Sequence, residues 1–202
     1  MTKLSKTDVL GLLQEHGAVV SGHFRLASGL HSPVYIQTAL VLQYPHVANK
    51  LAKALAAQFP QSVDVVISPG TPSVVLGQEV ARVKKCRAIF AERNEGMMGF
   101  RRDFKLERGE RALIVEDVLT TGRLTGEIVA LATAYGARIV GVGAIVDRSI
   151  AGLSLNVPVR TLITYPLQVS PPDSCPQCAA KLPLSEIGKS PSTAFGGVGE
   201  WP

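Results

Sequence analysis

The sequence predicts an α/β fold, a mainly parallel sheet flanked by helices with a small N-terminal hood. Three observations carry that expectation. From residue 63 onward, short apolar runs at 63–67, 87–91, 113–115 and 139–146 alternate with helical stretches at 72–83 and 123–135, the rhythm of parallel strands joined by crossover helices. Before that, 18–20, 24–26 and 34–36 read as short antiparallel strands around turn-prone Ser21-Gly22-His23 and the 28–33 stretch. Finally, 202 residues at 46% hydrophobic and 18% charged, with mean hydropathy +0.21, suffice for a buried core in one domain.

Taken in order, residues 7–17 set Val9, Leu10, Leu12 and Leu13 on one side and stop at Gly17, an amphipathic helix with a glycine end. Pro45 opens a second helix running to about 59, since proline fits a first turn. Residues 92–109 interrupt the alternation with a polar, glycine-containing stretch of no steady period, which predicts a long loop, functional or disordered. Residues 1–187 are expected to form a single domain, its hood built from about 1–40 plus 160–187. The Gly-, Ser- and Pro-rich 188–202 segment is expected to be a flexible tail.

Composition excludes several classes. No run of about 18 apolar residues is present to span a bilayer, and a cytoplasmic location is expected. Three cysteines build no disulfide scaffold, so reduced thiols are expected. A net charge of +5 suits phosphate-bearing ligands. The basic clusters at 82–87 and 101–105 lack interleaved aromatics, so nucleic acid is not an expected partner.

The chemistry concentrates in 112–125, where an apolar strand runs into Glu116 and Asp117, then a Thr120-Thr121-Gly122 turn, then a helix. Ligands of parallel sheets bind at strand carboxyl ends, where a following helix offers unpaired N–H groups to a phosphate. Acids beside a phosphate repel it, so their partner is something neutral and hydroxylated, such as ribose. The pattern therefore describes a sugar-phosphate site. The plain alternative is that the two acids end a strand and cap a helix.

This segment resembles the phosphoribosyl-diphosphate (PRPP) motif of type I phosphoribosyltransferases. The stretches 21–32, 35–37, 87–93, 146–149 and Cys175-Pro176-Gln177-Cys178 narrow the similarity to the orotate phosphoribosyltransferases over about residues 5–185. The resemblance implies a type I phosphoribosyltransferase-like fold. It also implies transfer of a 5-phosphoribosyl group from PRPP to orotate, with Mg²⁺ bound mainly through PRPP, in a homodimer whose 92–105 lid reaches the neighbouring site. By the same resemblance, PRPP would be bound by Glu116, Asp117, Val118, Thr120, Thr121, Gly122, Arg123, Leu124 and Thr125. Arg93, Arg101, Arg102 and Asp117 would be catalytic, and Phe24, Ser28, Thr121 and Arg148 would face orotate.

The chain departs from the family pattern at several points. Pro72 and Ser73 stand in the pyrophosphate loop, where small residues normally free backbone N–H groups, and Pro72 has none. Arg123 and Leu124 replace a glycine and a hydroxyl in the phosphate loop, Met97 and Met98 occupy the lid, and Ala27 stands where many relatives have lysine. These departures also allow a regulator that binds PRPP or nucleotide without turnover. No metal ligands are assigned. Cys175 and Cys178 with distant Cys86 do not complete a four-cysteine zinc site, and a thiol pair bracing the tail is the favoured reading over a disulfide or shared zinc. His23 and His31 read as hydrogen-bonded turn histidines at least as readily as catalytic ones.

Overall fold

The computed structural model describes residues 4–26, 28–150, 152–166 and 168–186. The 188–202 tail and Ala27 lie outside them. In chain order the elements are α1 Lys6–Glu15, β1 Val19–Arg25, β2 His31–Ile36, α2 Ala39–Leu42, α3 Pro45–Ala56, β3 Val65–Pro69, α4 Ser73–Lys84, β4 Arg87–Asn94 and β5 Met97–Phe100. They continue with β6 Arg111–Leu119, α5 Arg123–Ala134, β7 Arg138–Asp147, β8 Val159–Thr164, a 3-10 turn Pro172–Ser174, α6 Pro176–Ala179 and β9 Ser185–Glu186. Two compact units result, one from 1–18 with 37–166, the other from 19–36 with the segment after 166.

The larger unit is built on a six-stranded sheet in the order β5-β4-β3-β6-β7-β8, parallel except for β5. Its central strands have apolar runs at residues 65–67 and 112–115, buried because both faces are covered. Side chains alternate across β3: Val65 and Ile67 join Ile114, Leu119, Ile128 and Ala132 on the α5 side, while Val66 and Ser68 face Gly77 of α4. α1 starts with a capping box, Asp8 N–H donating to Ser5 Oγ and Ser5 N–H to Asp8 Oδ2, and ends before Gly17 at φ +67°. It lies against β8. Among the described residues no helix is long and apolar enough to cross a membrane.

The 92–109 stretch is not the structureless loop that its composition suggests. β4 extends to Asn94 and pairs antiparallel with β5 through a two-residue turn, Glu95-Gly96. Both turn residues have positive φ, +49° and +81°, the primed geometry whose twist matches that of a hairpin. The hairpin is packed at its base: Phe100 meets Tyr135 edge to face at 5.4 Å, and Phe90 meets Phe104 at 5.0 Å. The sequence reading also missed β8, which closes the sheet beside β7.

The second unit is a three-stranded sheet in the order β2-β1-β9. The stretches 18–20 and 24–26 join into the single strand β1, whose register with β2 slips between Ser21 and Phe24. Gly22 and His23 there oppose Pro33 alone, a bulge facing a residue with no N–H to give. The bulge turns His23 inward to 4% exposure between exposed Gly22 and half-buried Phe24.

Between β6 and β7 a second bulge skips Val140. A Cβ on Gly141 at that point would lie 2.7 Å from the Pro158 carbonyl oxygen and 2.8 Å from Phe59 Cε1. Gly141→Ala should therefore cost about 1–3 kcal/mol and lower Tm by roughly 2–4 °C for each kcal/mol. Thermal unfolding followed by circular dichroism checks this.

Candidate active site

β6 is buried from Ala112 to Val115 and then delivers Glu116 and Asp117 to the carboxyl edge of the sheet. The chain turns through Leu119–Thr121, and Gly122 begins α5 at φ +72°, where a Cβ would meet Leu153 at 3.0 Å. Glycine is thus required twice over, by conformation and by space. Between this turn and the β3–α4 loop lies a cleft of about 270 Å³, lined by Pro69, Gly70, Thr71, Ser73 and residues 116–118 and 120–125.

Each acid is held by hydroxyls. Asp117 accepts from Thr38 Oγ1 at one carboxylate oxygen and from Ser73 Oγ, at 2.6 Å, at the other. The Asp117 N–H in turn donates to Ser73 Oγ at 3.2 Å. Glu116 accepts from the buried hydroxyl of Thr125. Burial pushes the Glu116 carboxyl up to about 7, the Thr125 hydrogen bond working against the rise and the Asp117 charge adding to it. No ion pair to either acid is found among the described residues, so their hydrogen-bond partners are the neutral hydroxyls of Thr38, Ser73 and Thr125.

On the other wall, the first turn of α5 lines the cleft with Thr120 and Thr121 exposed beside it, the end of a helix whose N–H groups have no intrahelical partner. The Thr121 hydroxyl accepts from the Arg123 N–H at 3.3 Å. Leu124 and Arg123 line the rim, and the Arg123 guanidinium, 87% exposed, lies 3.5 Å from Glu127. Pro72 precedes α4 and its peptide with Thr71 is cis.

Sequence reasoning found the acids and the turn because they are contiguous. It missed Thr38 and valued Ser73 only as a departure, because their partner Asp117 lies 79 and 44 residues away.

No family model matches the chain. It is 43% identical over 186 residues, 92% of this chain and 97% of the relative, to an orotate phosphoribosyltransferase from Caldicellulosiruptor saccharolyticus. It belongs to the orotate phosphoribosyltransferase family. Another member, from Desulforamulus reducens, is 40% identical over the same share of this chain and 97% of its own. Among solved structures, orotate phosphoribosyltransferase from Aeropyrum pernix superposes with a TM-score of 0.66 at 22% identity, covering 77% of this chain and 93% of that one. An adenine phosphoribosyltransferase from Rhodothermus marinus gives 0.63 at 19%, covering 79% and 99%. The fold is that of the type I phosphoribosyltransferases.

Within this family frame the remaining expected residues fall in several places. Arg148 follows β7 and is buried, its N–H donating to the Leu119 carbonyl behind the turn. Arg93 pairs with Glu127 and donates to the Gly96 carbonyl. Arg102 makes a two-pronged pair with Glu92 at 3.0 Å and lies over the Phe90 ring. That pair holds the Glu92 carboxyl below its usual value, Arg101 adding its charge. Met97 is exposed at the hairpin tip. Phe24 and Ser28 belong to the second unit, where Phe24 packs on Tyr35 with ring centroids 5.8 Å apart.

Glu116 makes stability pH-dependent. It ionises near 4.5 when unfolded and about 7 when folded, so the folded chain keeps the extra proton between those values. Stability from this group is present below 4.5 and falls as pH rises through 7. Glu116→Gln should remove that slope and gain on the order of 3 kcal/mol over the parent above pH 7. Urea unfolding across the interval measures it.

Proposed function

We propose that this protein transfers the 5-phosphoribosyl group of PRPP to N1 of orotate, releasing pyrophosphate and forming orotidine 5′-monophosphate. The observation that carries the reading is the hydroxyl-braced acid pair facing a glycine turn and helix N-terminus across one cleft. Family membership at 43% identity supports it.

In this reading Glu116 and Asp117 accept hydrogen bonds from the two ribose hydroxyls, fixing the sugar as charge develops at C1′. The first-turn N–H groups of α5, with Thr120 and Thr121, hold the 5′-phosphate. The C1′–O bond to pyrophosphate breaks as N1 of orotate closes on C1′, through an oxocarbenium-like state that rewards positioning and exclusion of water. Arg148, Phe24 and Ser28 are assigned to orotate, an arginine fork suiting its carboxylate.

The donor set suits Mg²⁺, which takes oxygen ligands and keeps several waters. Both Asp117 oxygens already accept hydroxyls, which favours an ion held by the pyrophosphate of PRPP over an all-protein cage. Such an ion supplies charge neutralisation to the leaving group, and Asp117 and Glu116 are the residues that would meet it. We assign the rest of that neutralisation to Arg93, Arg101 and Arg102 on the hairpin, which serves as a lid, in a homodimer where it reaches the partner's site. A cytoplasmic location goes with this reading.

The departures at Pro72, Leu124 and Met97 are compatible with turnover here. Ser73 contributes a direct hydrogen bond to the acid pair, and Leu124 and Met97 are exposed at the cleft rim and the hairpin tip. Loss of orotate absorbance with PRPP and Mg²⁺ tests the proposal directly. Asp117→Asn should lower kcat/KM by about one to two orders of magnitude, the worth of a charged hydrogen bond. PRPP binding without turnover in the parent protein would instead mark a regulator.

A further inference from the structure

In the second unit, four side chains from both ends of the sequence converge. His23 Nε2, His31 Nδ1, Cys175 Sγ and Cys178 Sγ all lie within 4.8 Å of one another. His23, His31 and Cys175 are each 4% exposed. His23 arrives through the bulge opposite Pro33 and His31 opens β2, while the cysteines flank the first turn of α6.

The spacing is that of a coordination shell. A tetrahedral Zn²⁺ with Zn–S of about 2.3 Å and Zn–N of about 2.0 Å requires N···S edges near 3.5 Å and N···N edges near 3.3 Å. The observed N···S separations are 3.6 Å from His23 to Cys175, 3.6 Å from His23 to Cys178, and 3.3 Å from His31 to Cys178. The two histidine nitrogens stand 2.9 Å apart, a few tenths of an ångström short of the ideal edge.

The tautomer is also set. His23 Nδ1 lies 3.0 Å from the Leu182 carbonyl oxygen, which accepts only, so the proton sits on Nδ1 and the Nε2 lone pair faces the cluster. A ring N–H donated to a carbonyl is the usual support for a metal-binding histidine. The sequence shows one cysteine pair and a distant Cys86, and nothing in it brings residues 23 and 31 beside 175 and 178.

We propose that His23, His31, Cys175 and Cys178 form a structural Zn²⁺ site that pins the C-terminal segment to the β1–β2 hairpin. Two thiolates with two imidazoles form a donor set typical of zinc. Four protein ligands leave no open position, so the site is structural and separate from the phosphoribosyl chemistry. On binding, each thiol releases its proton to solvent as its thiolate–zinc bond forms. The ion replaces a disulfide as the fastener, and no oxidant is needed.

The full chain, purified with reductant and without chelator, should carry about one zinc ion per chain by mass spectrometric metal analysis. His31→Ala and Cys178→Ser should each lower that content at least about tenfold, the scale of losing one ligand of four, while Cys86→Ser should retain it. In case the variants fail to fold, the stripped and reduced parent chain is titrated with Co²⁺, which should give thiolate charge-transfer and tetrahedral visible bands. A parent chain with less than roughly a tenth of an ion and no cobalt bands overturns the proposal. So does a Cys175–Cys178 disulfide that takes no cobalt once reduced, or a cobalt spectrum that survives Cys178→Ser.

Discussion

Two carboxylates in succession at the end of a buried strand repel each other and lose much of their water, and the larger unit is arranged around that tension. Lysine or arginine beside them would relieve it, but would also neutralise the pair and take up its acceptors. The chain uses hydroxyls: Thr38 and Ser73 on Asp117, Thr125 on Glu116. Neutral donors stabilise the acids modestly and leave their charge in place. The cost of the arrangement remains visible in the raised Glu116 carboxyl. This one choice couples the start of α2, α4 and α5 to the end of β6, so α4 and α5, which already cover the sheet, also set the position of the acids.

Much of the fold was readable because it is written locally. The apolar strands β3, β6 and β7 and the helices α4 and α5 follow from periodicity, and the acid–threonine–glycine turn is contiguous. The hairpin β4–β5 was not readable in the same way. Met97-Met98-Gly99-Phe100 shows no alternation, and its structure depends on a Glu95-Gly96 turn whose first residue is not one normally chosen for positive φ. The braces on Asp117 and the histidine–cysteine cluster were hidden for a different reason. Ser73 and Thr38 lie 44 and 79 residues from Asp117, and the two histidines meet the two cysteines across 147 to 155 residues, separations that no spacing rule spans. Contiguity decides what a sequence discloses about a site, and the supporting residues are seldom contiguous.

The two bulges show the same economy in opposite directions. In β1, an extra residue opposite Pro33 turns His23 inward where a regular strand would alternate it away. In β7, the skipped residue makes room for Phe59 against Gly141. Each irregularity places one side chain that regular pleating would misplace.

The position of β8 has a consequence for how the chain is made. α1 leaves the ribosome well before β8, the strand against which it lies and whose last residue is Thr164. Val9 and Leu13 of that helix are fully buried in the finished molecule. During synthesis their neighbouring strand does not exist until some 150 further residues have been added, a delay of roughly ten to thirty seconds at ordinary elongation rates. For that interval the apolar stripe of α1 lacks the strand that covers it in the finished molecule, transiently exposed surface of the kind that favours aggregation of nascent chains.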